Sequence, residues 1–171
     1  FQLALVTWKQ ALREHMATSI VGGVLDLIEQ ERQGIAITSS LVKGVVDCLV
    51  ELGIDEVVDS NSAESTKAVN PKLRVYKQLF EEKFIRTTEA FYVCESSDFL
   101  LGNSIPEYMK KVEKRLIEEK DRCEKYLHRS SLQPLERKCE EVLISVKLDL
   151  FQNEFPVLLE NDKDEVTMTS S

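Results

Sequence analysis

Apolar residues recur at intervals of three and four along most of the chain, which is the spacing of one face of an α-helix. This pattern predicts about six helices and no strand. Short connections favour antiparallel neighbours, so we expect an all-α fold: an elongated helical bundle, or one unit of a helical repeat array. A single domain is expected over residues 1–171, with a frayed polar tail at 160–171. The predicted helices cover residues 1–14, 17–32, 40–52, 71–102, 105–127 and 132–151.

Glycines and a polar stretch mark the expected breaks between the first helices. Gly34 and Gly53 are predicted to stop the second and third helix. The stretch 54–70 is acidic and rich in Ser, Asp and Asn, so it buries too little apolar surface to order itself and is predicted to be a surface loop. Gly22 and Gly23 lie inside the second helix, where they are expected either to admit a neighbouring helix or to break the helix locally.

The sharpest local signal is a capping box at the start of the fifth helix. Ser104 is expected to cap the first free amides, and the Glu107 carboxylate to fold back onto the amide of Ser104. Pro106 is tolerated between them, because first-turn amides have no partner inside the helix. Ser130 and Gln133 form a second plausible capping box before the sixth helix.

Each predicted helix carries one apolar stripe, which we interpret as its core-facing side. The aromatic stripe of the fourth helix is the longest, and a ligand pocket is the alternative interpretation for it. Glu119 interrupts the stripe of the fifth helix. In chain order the stripes consist of Leu5, Trp8 and Leu12; Ile20, Val24, Leu27 and Ile28; Leu41, Val45, Cys48, Leu49 and Leu52; Leu73, Tyr76, Phe80, Phe84, Thr87 and Phe91, widened by Leu79, Tyr92 and Phe99; Ile105, Met109, Val112, Leu116, Cys123 and Tyr126; and Leu135, Cys139, Val142, Leu143, Val146 and Leu150.

Composition and charge narrow the classes of partner. The 171 residues are 43% hydrophobic, enough for a real core, while the net charge of −8 argues against a basic surface for nucleic acid. The chain has no apolar run near the roughly 20 residues of a membrane span, so we expect no membrane partner. Protein partners are the class that remains.

Candidate chemistry is sparse. The four cysteines, Cys48, Cys94, Cys123 and Cys139, include no C-x-x-C pair, and the two histidines, His15 and His128, stand alone. We interpret the cysteines as buried thiols in a reducing compartment, and expect no metal site, no cofactor and no catalytic residue in this chain.

The side of the fifth helix opposite its apolar stripe is densely charged, with opposite charges four residues apart. Such pairs add only a few tenths of a kcal/mol each, so the side is interpreted as a solvated outer face, with a partner-binding face over 110–125 as the alternative. The expected pairs are Glu107 with Lys111, Glu118 with Arg122 and Asp121 with Lys125.

Ten segments, spread in order over roughly residues 1–165, resemble the N-terminal half of a cullin. The residues of these segments are most similar to those of the cullins of SCF (Skp–cullin–F-box) ligases. The stretch 54–70, however, looks long for the family. The segments are Leu3 to Trp8, Leu27 to Gly34, Val50 to Gly53, Val75 to Lys77, Phe80-Glu81, Phe91-Tyr92, Glu107 to Glu113, Tyr126 to His128, Cys139 to Ile144 and Phe151 to Phe155.

The resemblance implies a stalk of three helical cullin repeats, of which this chain is the end of the first and most of the second. It implies a non-catalytic, rigid scaffold segment of a cullin–RING E3 ubiquitin ligase, which spaces the substrate-adaptor end from the RING end. The family's adaptor-binding and RING-box-binding regions lie outside the matching residues, so we expect neither site here, and we expect a location in the cytoplasm, the nucleus or both.

A second hypothesis is a short cullin-like paralogue, which would act as a helical protein-interaction module without ligase activity. The full gene discriminates between the two. A third cullin repeat downstream favours the scaffold, and a stop codon after Ser171 favours the short paralogue.

Overall fold

The computed structural model describes residues 2–58, 73–148 and 151–152, with side chains for 15–51, 73–145, 147–148 and 151–152. These residues form helices and contain no strand, which confirms the predicted all-α class. The chain divides into two compact units. The first is Phe1–Thr87 with Asp121–Leu132, and the second is Thr88–Lys120 with Gln133–Ser171.

Helix α1 (Gln2–Arg32) is one continuous helix where the pattern predicted two. Gly22 and Gly23 neither break it nor admit a close neighbour, because a Cβ added at either position would meet no atom within 4 Å. Both expectations for this pair are therefore wrong. The predicted stop at Gly34 is confirmed: its φ of +88° suits glycine, its amide donates to Glu31, and the next amide reaches back to Gln30.

Helix α2 (Ser39–Val58) runs past both its predicted stop and the start of the predicted loop. Gly53 lies inside the helix, where glycine costs only about 1 kcal/mol relative to alanine and therefore does not force an end. Residues 54–58 are thus helical rather than part of a loop. The rest of that loop, residues 59–70, lies outside the described residues.

Helix α3 (Arg74–Tyr76), a π-helical turn (Lys77–Glu81) and helix α4 (Glu82–Leu100) follow one another without a break. The π-turn was not predicted. In this stretch every fourth residue is buried, whereas an undistorted α-helix alternates steps of three and four. The predicted stripe is therefore confirmed at its start and at Tyr92, but it is wrong at Thr87, which is exposed, and Phe91 is only half-buried. The buried positions are Tyr76, Phe80, Phe84, Thr88, Tyr92 and Ser96.

Helix α5 (Ile105–Tyr126) begins at the predicted capping box. The Ser104 amide donates to Glu107 Oε2 over 2.9 Å, as expected, and the Ser104 hydroxyl donates to the same oxygen over 2.8 Å. The backbone hydrogen bond holds the pKa of Glu107 below its ordinary value of 4.5.

Helix α6 (Leu132–Leu143) ends earlier than predicted. Its expected core residues up to Leu143 are buried, which confirms that part of the stripe. The carbonyl of Leu143 accepts the Tyr108 hydroxyl over 2.8 Å, and Ile144 then departs to φ −117° and ψ −60° before a 3₁₀ turn at Ser145–Lys147. The predictions for Val146, Leu150 and the tail 160–171 fall outside the described side chains.

Among the described residues, no helix combines the length and the apolarity that crossing a bilayer requires.

Candidate protein-interaction site

The first unit carries an apolar groove between α1 and α2, with a volume of about 520 Å³. Three of its side chains are large, apolar and at least half exposed: Met16, Ile20 and Leu41. The groove is lined chiefly by Met16, Ala17, Ile20, Leu41, Val45 and Cys48.

The groove exists because α2 carries two neighbouring apolar stripes, of which only one is buried in the core. Val42, Val46 and Leu49 are buried, whereas Leu41 is 55% exposed. The stripe predicted to be the core face of α2 is confirmed at Leu49 and wrong at Leu41 and Cys48, which are exposed and line the groove, while Val45 is half-buried. Leu52, the last residue of that stripe, lies outside the described side chains. The sequence analysis named one stripe only, and hydrophobic periodicity contains no information about which apolar side of a helix a neighbouring helix covers.

The groove is suited to burying apolar side chains rather than to chemistry. Its described lining offers the Ser40 hydroxyl and the Cys48 thiol as polar groups and no ionisable pair. A slot between two helices matches the ridge of a third helix, and exposed apolar surface of this kind marks interaction sites.

The second unit has a smaller cleft between α5 and α6, of about 190 Å³. Its lining includes the apolar side chains of Leu116, Ile117 and Leu135 and the charged side chains of Lys120 and Glu136. This volume falls below the roughly 300 Å³ at which ligand pockets begin, so the cleft fits one side chain rather than a cofactor.

Glu31 joins α1 to α5 in the first unit. Its carboxylate accepts the Tyr126 hydroxyl over 2.6 Å and Arg122 Nε over 3.0 Å, and Lys125 Nζ lies 3.5 Å away. Burial raises the pKa of Glu31, but the bonds from Tyr126 and Arg122 outweigh burial and hold the pKa below 4.5.

A second polar cluster in the first unit surrounds Glu81, which is buried. Ser131 Oγ donates to Glu81 Oε2 over 2.7 Å and also lies 2.7 Å from the Tyr76 hydroxyl. Burial raises the pKa of Tyr76 far above its ordinary value of 10, so this phenol stays protonated. His128 caps the following turn (Arg129–Ser131) by accepting the Ser130 amide at Nδ1 over 3.2 Å. The imidazole thus caps the turn that precedes α6, while the capping box predicted for α6 at Ser130 and Gln133 stays a prediction.

The second unit contains its own cross-helix bonds. Glu119, predicted to interrupt the α5 stripe, is only 2% exposed and accepts the Tyr92 hydroxyl over 2.6 Å. Glu95 of α4 binds Arg115 Nε over 3.0 Å and lies 3.3 Å from Lys111 Nζ. Burial lowers the pKa of Arg115, but its bonds to Glu95 and a second carboxylate outweigh that effect and raise the pKa.

The cysteines divide into two groups. Cys123 and Cys139 are buried as expected, but Cys48 and Cys94 are exposed, so the interpretation of four buried thiols is half wrong. The nearby Asp98 carboxylate, 3.6 Å from Cys94 Sγ, raises the pKa of this thiol, which makes it less nucleophilic.

The charged side of α5 is not uniformly solvated. Arg122 is buried against Glu31, and Lys125 shares the same carboxylate. Lys111 reaches Glu95 and also stands 4.3 Å above the Phe99 ring. The solvated-face interpretation is therefore wrong at Arg122, which is buried, and at Lys111, which is half-buried, but it holds at Lys125, whose side chain is 54% exposed.

The residues that sequence reasoning missed are carboxylates. Nothing in the hydrophobic pattern distinguishes Glu31 or Glu81 from the other acidic residues of the chain, and only Glu119, inside an apolar stripe, gave a local signal. In the described part of the chain, every buried side-chain nitrogen and oxygen has a hydrogen-bond partner, and no three His, Cys, Asp or Glu side chains are grouped as metal ligands would be.

The described residues define an all-α protein whose first unit presents an apolar groove. A family model described as the cullin alpha solenoid domain matches residues 1–170. The chain belongs to the cullin family.

Several relatives match nearly the whole chain. Cullin-1 of Caenorhabditis elegans is 44% identical over 166 residues, which cover 96% of this chain and 21% of that protein. Cullin-1 of Dictyostelium discoideum is 41% identical, covering 95% of this chain and 20% of the relative. Human Cullin-4A is 33% identical over 75% of this chain and 14% of its own length. The chain thus spans about a fifth of the length of these two Cullin-1 relatives.

Proposed function

We propose that this chain is a non-catalytic, rigid scaffold segment of a cullin–RING E3 ubiquitin ligase. In this role it spaces the substrate-adaptor end of the ligase from the RING end. Family membership supports the general role, and the detailed similarity to Cullin-1 relatives favours the SCF type. Its partners are proteins of the ligase, and its location is the cytoplasm, the nucleus or both.

The observation that carries this proposal is a set of three carboxylates that bind across helices, two of them buried (Glu81 and Glu119) and one partly exposed (Glu31). Glu31, Glu81 and Glu119 each bind hydroxyl or guanidinium groups that come from another helix or turn. A charged hydrogen bond inside a helical unit is directional as well as strong, so it fixes the rotation of one helix against the next. These groups hold helices together, and stiffness of the spacer limits where a transferred ubiquitin can land.

The test uses a full-length cullin that contains this segment, assembled with purified adaptor, RING-box protein and substrate. Glu31→Ala is compared with Lys43→Ala, which removes only an exposed pair with Asp47. We expect Glu31→Ala to retain binding of adaptor and RING-box protein while the rate of ubiquitin transfer falls several-fold. Lys43→Ala should leave both properties unchanged.

Two results would contradict the spacer role. In the first, Glu31→Ala lowers the melting temperature of the segment but the rate of ubiquitin transfer stays at the wild-type value. Alternatively, the isolated chain could bind the purified adaptor or RING-box protein saturably, which would place a docking site inside this segment.

The apolar groove favours a second candidate function, that of a helical interaction module without ligase activity. Exposed Met16, Ile20 and Leu41 are the observation behind it. Leu41→Asp places a charge in the groove, and Val93→Asp is the matched control at an exposed apolar position outside it. This candidate gains support if the isolated chain binds a purified cullin partner saturably and Leu41→Asp alone abolishes the binding.

A further inference from the structure

The cleft between α5 and α6 in the second unit combines its apolar lining with an excess of negative charge. Besides the leucine and isoleucine side chains described above, three carboxylates and one ammonium group line it, those of Glu119, Glu136, Glu140 and Lys120. An occupant of this cleft must present apolar atoms to its walls and positive charge to its carboxylates, because a carboxylate that is covered without a counter-charge loses its hydration uncompensated.

Glu136 and Glu140 supply the observation that favours a cation from outside the chain. They lie four residues apart on α6, where two like charges stand on neighbouring turns and destabilise a helix slightly. Both residues are exposed, and in the described part of the chain neither has an ion-pair partner. Glu141, which is not part of the lining, pairs with Lys138 over 2.9 Å. A cation bound in the cleft would relieve the repulsion between Glu136 and Glu140.

Glu119 adds a carboxylate whose position is fixed. It is only 2% exposed, and its Oε1 accepts the Tyr92 hydroxyl from α4 over 2.6 Å. A carboxylate held in this way attracts a cation in the cleft more strongly than an open surface group does, because less water screens the interaction.

We propose that this cleft receives one arginine side chain from a partner protein. The aliphatic stem lies against the apolar walls, where Ile117 is 56% exposed, and the guanidinium lies between Glu136 and Glu140. Arginine suits the cleft better than lysine, because its planar group is less strongly hydrated and its five donors can bond more than one carboxylate at once. A second copy of the chain is the less favourable source, since a net charge of −8 opposes self-association.

The test titrates N-acetyl-arginine amide into the intact chain at pH 7 and follows the backbone amides by NMR. We expect saturable shifts that are confined to the residues of α5 and α6 around the cleft. N-acetyl-citrulline amide has a similar shape without the charge, so it should bind roughly tenfold more weakly or less. N-acetyl-lysine amide with a free ammonium group should bind several-fold more weakly than the arginine probe.

Two variants examine the charged and the apolar part of the cleft. Glu136→Gln/Glu140→Gln should weaken binding of the arginine probe by roughly tenfold or more, with no loss of melting temperature, because the like-charge pair is removed as well. Glu51→Gln/Glu113→Gln changes the net charge equally at exposed positions outside the lining, so this matched control should bind as the wild type does. Ile117→Ser should weaken binding several-fold through the lost contact with the aliphatic stem.

Several outcomes would overturn the proposal. Equal binding of the arginine and citrulline probes would show that charge is not recognised, and tighter binding of the lysine probe would assign the cleft to an ammonium group. Equal weakening by the two double variants would indicate attraction to the acidic surface as a whole, and an unchanged affinity of Ile117→Ser would place the ion pair outside the cleft.

Sedimentation of the chain alone tests the remaining occupant. We expect no self-association that depends on the cleft; wild-type self-association that Glu136→Gln/Glu140→Gln abolishes would identify a second copy as the occupant. Failure of the arginine pocket leaves the spacer role untouched, because that role is tested by the rate of ubiquitin transfer in Glu31→Ala.

Discussion

Removing the Tyr92 hydroxyl tests whether Glu119 is a structural acceptor. The substitution Tyr92→Phe deletes one oxygen from a residue that is 0% exposed and leaves the ring in place. The lost bond is 2.6 Å long and ends on a carboxylate that is itself 2% exposed. Hydrogen bonds to charged groups contribute about 1.5–3 kcal/mol to stability, so we expect the free energy of unfolding to fall by that amount.

Tyr108→Phe is the matched control for this measurement. Tyr108 lies in the same unit and is 1% exposed, but its hydroxyl bonds neutral groups: it donates to the carbonyl of Leu143 over 2.8 Å and also hydrogen-bonds the Ser96 side chain. A neutral bond contributes about 0.5–1.5 kcal/mol, so this variant should lose less stability than Tyr92→Phe.

The assay is urea unfolding followed by circular dichroism at pH 7, with both variants and the wild type at equal concentration. Each kcal/mol should also lower the melting temperature by roughly 2–4 °C in a chain of this length. If Tyr92→Phe costs no more than Tyr108→Phe, the carboxylate gives no additional strength and the argument for a charged cross-helix bond is refuted.

Three further predictions concern a glycine inside α1, a ring in the core and the capping box at the start of α5. Gly23→Ala should raise the free energy of unfolding by about 0.5–1 kcal/mol, because Gly23 is helical, exposed and has open space around an added Cβ; a loss of stability in a urea titration would count against this. Phe84→Ala should cost about 3–5 kcal/mol because the ring is fully buried, while Phe91→Ala should cost clearly less because Phe91 is half-buried; equal midpoints in parallel urea titrations would contradict the ranking. The lowered pKa of Glu107 means that its bond to Ser104 stabilises the chain above the ordinary carboxyl pKa of 4.5 and is lost as the pH falls through the lower folded pKa. Glu107→Gln should therefore lose less stability than wild type between pH 5 and pH 2 in acid unfolding, and an unchanged acid transition would refute the assignment.

The helical class and most helix positions followed from the sequence because periodicity and capping are local properties. The capping box at Ser104 and the stop at Gly34 were predictable, since each depends on residues that are neighbours in the chain. The ends of α2 and α6 were not. The end of α6 coincides with the acceptance of the Tyr108 hydroxyl by Leu143, a contact between residues that are 35 positions apart.

The candidate sites were harder to predict for a related reason. The exposed side of α2 looks in the sequence like its buried side, because Leu41 and Val42 are equally apolar and differ only in what covers them. Glu31 and Glu81 are indistinguishable from solvated acids until Tyr126 and Ser131 are brought to them by the fold. The local pattern of apolar residues thus identified the amphipathic helices, whereas the polar bonds between the helices could be identified only from the tertiary structure.

The π-helical turn at Lys77–Glu81 makes the number of residues in this helix as important as their identity. Deleting one residue from the turn would rotate everything after it by about 100° relative to Tyr76. Either the Tyr76 hydroxyl would then leave Ser131, or the Phe84 ring would leave its place 5.5 Å below the Arg32 guanidinium. Replacement of a solvent-facing residue in the turn, such as Gln78, preserves both contacts. Over evolutionary time, related chains should therefore accumulate substitutions on the outer side of this turn but conserve its length, so that a one-residue gap here would mark a differently packed core.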